Sequence, residues 1–176
     1  GQLMRRLALV FSVSQLTQYF RKLVEVRGEF EKQEVALQTL LKSKYQANIL
    51  MQQVTDLAVK SPFTLQQLIG YTKQLAAYQI EYKKLYSTTK MLADVSAGLG
   101  VEMDRLILAF GQVRAANYLR ATEVRQFTEA GMDILGELAK YYSELEGKMV
   151  SVADVQERVT KRMVGFSDVE EVFKRV

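Results

Sequence analysis

Pairs of carboxylates close in sequence are the only plausible material for acid–base chemistry in this chain, and we consider three of them. They are Glu102 with Asp104, Glu144 with Glu146, and Glu170 with Glu171. Two carboxyl groups can act as general acid and general base when their side chains converge. Residues one or two positions apart point to different faces of a helix, so these pairs do not converge. The sequence therefore predicts solvated surface carboxylates, no catalytic residues and no enzyme.

Histidine and cysteine are absent from the sequence. Their absence excludes disulfide bonds, Cys/His zinc sites, and catalysis by a thiol or an imidazole. The acidic residues form no EF-hand pattern, and "SAGLG" lacks the glycine spacing and the lysine of a phosphate-binding loop. We therefore expect no metal and no cofactor. We interpret Gly98 and Gly100 as residues that end one helix and separate it from the next.

Tyrosines recur at positions 78, 82 and 86, four residues apart. On a single helix this spacing would align the three rings on one face. Such a stripe more often packs in a core or against another helix. It could also stack single-stranded nucleic acid, because bases stack on aromatic rings beside basic residues. The nearby basic residues are Lys83, Lys84 and Lys90. The spacing alone leaves both interpretations open.

The stretch "QVRAANYLRATEVRQFTEAG", residues 112–131, is rich in polar groups and contains three arginines. Its periodicity places four side chains mostly on polar faces: Gln112, Arg114, Asn117 and Arg120. It places four others inward: Val113, Ala116, Val124 and Phe127. The pattern predicts a corner between two helices. Within it, we take Arg114, Tyr118 and Arg120 as candidate contacts for a partner protein.

Composition is that of an ordinary globular protein, with 48% apolar and 25% charged residues among 176. The single proline, Pro62, is typical of a mostly helical chain. The net charge is +4, and residues 1–100 hold 13 basic and 7 acidic side chains. This excess motivates one alternative function, a helical nucleic-acid-binding protein, although the sequence has no long basic run.

Helical periodicity predicts an all-α fold, a multi-helix array of amphipathic helices. One helix should break at Gly28, and another should stop near Ser61, because Pro62 disfavours helix in the residue before it. The next helix should start with a capping box formed by Thr64 and Gln67. A further helix, from about 81 to 97, should end at Gly98 in a left-handed stop.

The C-terminal third predicts short helices at 122–130, 133–146, 151–163 and 167 to the end. Gly131 and Gly147 should close the first two, and Ser167 with Glu170 should form a second capping box. "MVSVADVQERV" at 149–159 repeats as "MVGFSDVEEVF" at 163–173, which indicates two helices with similar starts. We divide the chain into a longer-helix part, 1–100, and a short-helix part, 101–176. Together they are expected to form one continuous helical unit, a fragment of a longer protein.

The first residues form an amphipathic pattern of Leu3, Leu7, Val10 and Phe11 beside two arginines. A membrane-active segment is a third interpretation of the chain, and this start motivates it. The same apolar stripe could pair with a second copy, so a homo-oligomer is also expected. No apolar run approaches the roughly 18–20 residues that span a bilayer.

Longer stretches of the sequence carry a resemblance. "LAFGQVRAANYLRATEVRQFTEAGMDILGELA" resembles the signature in the conserved N-terminal region of tape measure proteins from tailed bacteriophages and prophages. "AVKSPFTLQQLIGYTKQLAAYQIE", "TKMLADVSAGLGVEMDRL" and "MVGFSDVEEVFKRV" are similar to other parts of that region, and the versions in Bacteroides-type prophages are most alike. The family often has glycine where Ala121 stands and proline where Asp133 stands. The positions that match the signature are Gly111, Gln112, Val113, Ala115, Leu119, Glu123, Val124, Arg125, Gln126, Glu129, Ala130 and Gly131.

The resemblance implies a structural role, because tape measure proteins set the length of the phage tail. It implies tail tube subunits and tail assembly chaperones as partners. Nucleic acid and a membrane are not expected as partners of this stretch, because its charges are interspersed and its apolar runs are short. It carries over no catalytic residues. The implied location is the virion tail, and the host cytoplasm during assembly.

Overall fold

A computed structural model describes residues 17, 18, 21 and 27–176. The amphipathic start with Leu3, Leu7, Val10 and Phe11 lies outside the described residues. The first helix, α1, includes residues 27–41. The helices that follow are α2 (Lys44–Lys60), α3 (Leu65–Ala77), α4 (Tyr82–Leu99), α5 (Met103–Ala116), α6 (Ala121–Ala130), α7 (Ile134–Glu146), α8 (Val152–Thr160) and α9 (Phe166–Arg175). The fold is all-α, as predicted.

The capping box of α3 forms as the sequence predicts. The amide of Gln67 donates to Thr64 Oγ1 at 3.2 Å, and the amide of Thr64 donates to Gln67 Oε1 at 2.9 Å. These two bonds satisfy amides that would otherwise lack partners at the start of the helix. The preceding helix, α2, ends at Lys60, two residues before Pro62. Both boundaries follow from local chemistry alone.

Two predicted glycine breaks are wrong. Gly28 lies within α1, and the chain turns instead at Lys42, which has a φ of 52°. Gly98 lies inside α4, which continues to Leu99 and ends at Gly100 with a φ of 67°. The later stop lets the amide of Val101 donate to Ser96 O at 3.0 Å, and it buries the Val101 side chain. Tertiary packing, which periodicity does not report, therefore selects between the two glycines.

The predicted capping box of Ser167 and Glu170 is also wrong. Because α9 begins at Phe166, the N-cap is Gly165 and the third helical residue is Asp168, whose Oδ2 accepts from the amide of Gly165 at 2.8 Å. The repeated segment at α8 uses the same device, since Asp154 Oδ2 accepts from the amide of Ser151 at 2.8 Å. The repeat therefore marks two helix starts of the same form.

The other short helices lie close to the predicted ranges. Gly131 and Gly147 end α6 and α7 in the left-handed conformation, as predicted. The helix predicted for 151–163 ends earlier, at Thr160, and Arg162 has a φ of 59°. Asp133, where the family often has proline, caps α7: its Oδ1 accepts from the amide of Gly136 at 3.0 Å.

The chain divides into two compact units, residues 1–48 and 49–176. In the first unit, Leu37 and Ala47 are fully buried. The second unit contains α3 to α9 and the candidate contact residues. The division by helix length into 1–100 and 101–176 stays a prediction.

An aromatic cluster joins α5, α6 and α9 in the second unit. The Phe110 ring lies 5.1 Å from Phe166 and 5.2 Å from Phe173, between ring centroids. The Phe127 ring lies 5.5 Å from Phe173. Aromatic pairs at such distances add to the free energy gained from burial. The cluster therefore fixes α9 against the corner between α5 and α6.

Candidate partner-contact surface

The segment 112–131 forms a corner between two helices, as predicted. The first of them, α5, ends at Ala116, and Asn117 takes the left-handed conformation with a φ of 65°. After three more residues, α6 begins at Ala121. Val113, Leu119 and Phe127 are fully buried. Buried apolar side chains thus hold the corner in place. Ala116, which was predicted to face inward, is only half-buried, and Glu123 is a charged residue of this stretch that is fully buried.

A short backbone clasp ties this corner to the turn between α8 and α9. The amide of Leu119 donates to Val164 O at 2.9 Å, and the amide of Phe166 donates to Asn117 O at 3.2 Å. Tyr118 and Gly165 form an antiparallel bridge between the two segments. The clasp therefore brings the "GQVRAANYL" stretch into contact with the distant "MVGFSD" stretch.

Two of the three candidate contact residues flank the clasp. The Arg114 guanidinium lies 5.4 Å from the centre of the Phe166 ring, and its Nη2 donates to Gln79 O at 3.3 Å. The Arg162 guanidinium lies 5.4 Å from the centre of the Tyr118 ring. Both Arg114 and Tyr118 are half-buried. Each holds the fold and still presents part of its side chain at the surface.

The third candidate, Arg120, pairs with a buried carboxylate. Its backbone amide, Nε and Nη2 all donate to the carboxylate of Glu123, at 3.1, 2.9 and 2.6 Å. The Glu123 side chain is fully buried, and that of Arg120 is 46% exposed. The hydrogen bond from the guanidinium to Glu123 raises the pKa of Arg120. A buried carboxylate without such a partner would be costly, so Arg120 has a structural task here.

Sequence reasoning missed the role of Gly111. A Cβ at this position would overlap the ring of Tyr78, which packs directly on the backbone of α5. No local pattern signals this contact, because Gly111 lies in α5 and Tyr78 follows the end of α3, 33 residues earlier in the chain. The only available hint is a glycine in the interior of an otherwise good helix, which often marks close packing.

The predicted tyrosine stripe does not form on a single helix. Tyr78 follows the last residue of α3, whereas Tyr82 is the first residue of α4. Between them Gln79 has a φ of 63°, and the amide of Ile80 donates to Leu75 O at 3.1 Å. The chain turns there because Ile80 becomes buried. The three rings therefore lack the common helix face on which the stacking hypothesis depended.

The acidic pairs considered for catalysis are engaged in ion pairs and hydrogen bonds. Glu146 accepts from Arg158 Nη1 at 2.6 Å, and this bond lowers the pKa of Glu146. Glu102 accepts from Arg105 Nε at 2.9 Å. A carboxyl group with a lowered pKa is a poor general acid near neutral pH. Further ion pairs are Glu144 with Arg175, Glu170 with Lys84, and Glu171 with Lys174.

The basic excess does not extend to the second unit. Residues 49–176 hold 16 basic and 16 acidic side chains, so the net charge of +4 falls within residues 1–48. A pocket of about 280 Å³ beside Arg114 shows the same balance, because Lys84 and Arg114 face Glu81 and Glu170 in its lining. The second unit therefore lacks the net positive charge that attracts phosphate backbones.

The helices of the described residues are too short or too polar to cross a membrane. Within residues 27–176, no three acidic side chains are placed to hold a metal ion together. Packed helices, a corner tied by backbone hydrogen bonds and surface ion pairs characterise this all-α part of the chain. Within the described residues, no arrangement of side chains indicates a particular reaction.

Comparison with known proteins assigns the family. The family model described as tape measure protein matches residues 21–176, which is most of the chain. The chain belongs to the tape measure protein family, whose role is structural and whose place is the phage tail. Searches of curated proteins and of solved structures gave no match. The assignment to Bacteroides-type prophages stays a prediction.

Proposed function

We propose that this chain is a structural module that contributes to phage tail assembly and to the determination of tail length. It acts through protein–protein contacts and performs no catalysis. The observation that carries the proposal is the family match over residues 21–176. The engaged acidic pairs support the non-catalytic part, because side chains held in surface ion pairs are not poised for proton transfer.

Tail tube subunits and tail assembly chaperones are the proposed partners, met in the host cytoplasm during assembly. Arg114 and Tyr118 are the proposed contact residues, because the clasp holds them in place and leaves part of each at the surface. Arginine and tyrosine are also enriched among the residues that dominate binding energy at interfaces. Arg120 is a weaker candidate, because its guanidinium is engaged by Glu123.

Co-purification of this chain with tail tube protein, and separately with the tail assembly chaperone of the same phage, tests the proposed contacts. We expect binding by the native chain. We expect affinity at least about thirtyfold lower for the Tyr118→Ala and Arg114→Ala variants, which corresponds to the loss of about 2 kcal/mol that defines an interface hot spot. Arg125→Ala is the matched control, because that side chain is 73% exposed on α6. The control should bind as the native chain does.

Unfolding curves of each variant separate lost contacts from lost structure. If neither partner binds the folded native chain, the proposed contacts are wrong. Titration with single-stranded and duplex DNA at low salt tests the alternative function in the same preparation. Strong binding that weakens steeply with added salt would favour a nucleic-acid-binding protein over the structural module.

A further inference from the structure

We draw no further inference here: the strongest candidate, the surface pocket beside α8 that the exposed side chains of Met149 and Met163 line, carries nothing because no feature of the described residues shows what covers it.

Discussion

Gly111 illustrates how one residue can determine where two helices meet. The ring of Tyr78 occupies the space that any side chain at position 111 would need. Glycine normally weakens a helix interior by roughly 1 kcal/mol relative to alanine. Here that cost is offset by the close approach of α5 to the end of α3. The contact lies beside Gln79, whose carbonyl accepts the hydrogen bond from Arg114.

The substitution Gly111→Ala should lower the free energy of unfolding by about 1–3 kcal/mol, as overpacking of a filled site does. Gly98→Ala is the matched control, because Gly98 lies in α4 and a Cβ there would meet nothing within 4 Å beyond its chain neighbours and the backbone of its own helix. The control should leave stability unchanged or raise it by up to about 1 kcal/mol. Urea unfolding measures both variants. Equal stability of the two variants would show that Tyr78 does not pack against Gly111.

Ionised Glu146 should contribute stability that acid removes. The hydrogen bond from Arg158 lowers the pKa of Glu146 in the folded protein below the ordinary value of 4.5. A group with a lowered folded pKa stabilises the protein above its unfolded pKa, and the contribution is lost as pH falls through the folded pKa. Stability should therefore decrease as the pH falls below about 4.5, and the contribution should be lost once the pH has passed the lowered pKa of folded Glu146.

The Glu146→Gln variant should be less stable than the native chain at neutral pH and should lose less stability on acidification. Unfolding free energies across the acid range measure the difference. Glu129→Gln is the control, because Glu129 lies 3.7 Å from Arg125 with both side chains largely exposed. Its acid dependence should stay close to that of the native chain. An unchanged slope in Glu146→Gln would contradict the assigned role of the ion pair.

At the scale of the elements, local chemistry predicts a helix boundary when the residues that set it lie within one turn of each other. The capping box of Thr64 and Gln67 can be predicted from the sequence because both residues lie within one helical turn. Gln79 and Arg162 take left-handed conformations that their residue types do not predict, whereas Asn117 is of a type that favours this conformation. Their positions follow from which side chains the tertiary structure buries, so the sequence alone does not predict them.

Replacing Thr64 with alanine should cost about 0.5–2 kcal/mol of stability, because the amide of Gln67 loses its acceptor. Thr64→Ser keeps the hydroxyl group and should retain most of the native stability. Thr160→Ala serves as a second control, since that exposed hydroxyl only donates to Gln156 O. Thermal unfolding of the three variants gives the comparison. A Thr64→Ala variant as stable as Thr64→Ser would mean that the box does not support α3.

The candidate contacts show the same limit of sequence reasoning. The polarity of the corner residues identified Arg114, Tyr118 and Arg120, but it did not reveal that each has a partner within the fold. Those partners are Phe166, Arg162 and the buried Glu123. The first two come from a distant segment that only the clasp brings near, so local spacing could not predict them. The Arg120–Glu123 pair is local, and its three-residue spacing at a helix start was the available signal.

At the scale of the whole molecule, charge and family membership favour a role in protein assembly. The balanced charge of residues 49–176 removes the main attraction for nucleic acid in that unit. The family match covers residues 21–176 and therefore includes all of that unit. The likeness read from the sequence and the family match agree on a tape measure protein. Both depend on the order of motifs along the chain, which a single local pattern does not provide.

The most direct test of the central claim is to measure tail lengths by electron microscopy. The phage particles would carry in-frame deletions of graded length in the tape measure gene that encodes this chain, outside the codons for residues 21–176. A helical ruler rises about 1.5 Å per residue, so each 100 residues removed should shorten the tail by roughly 150 Å. Tails of unchanged length across the deletion series would contradict the account.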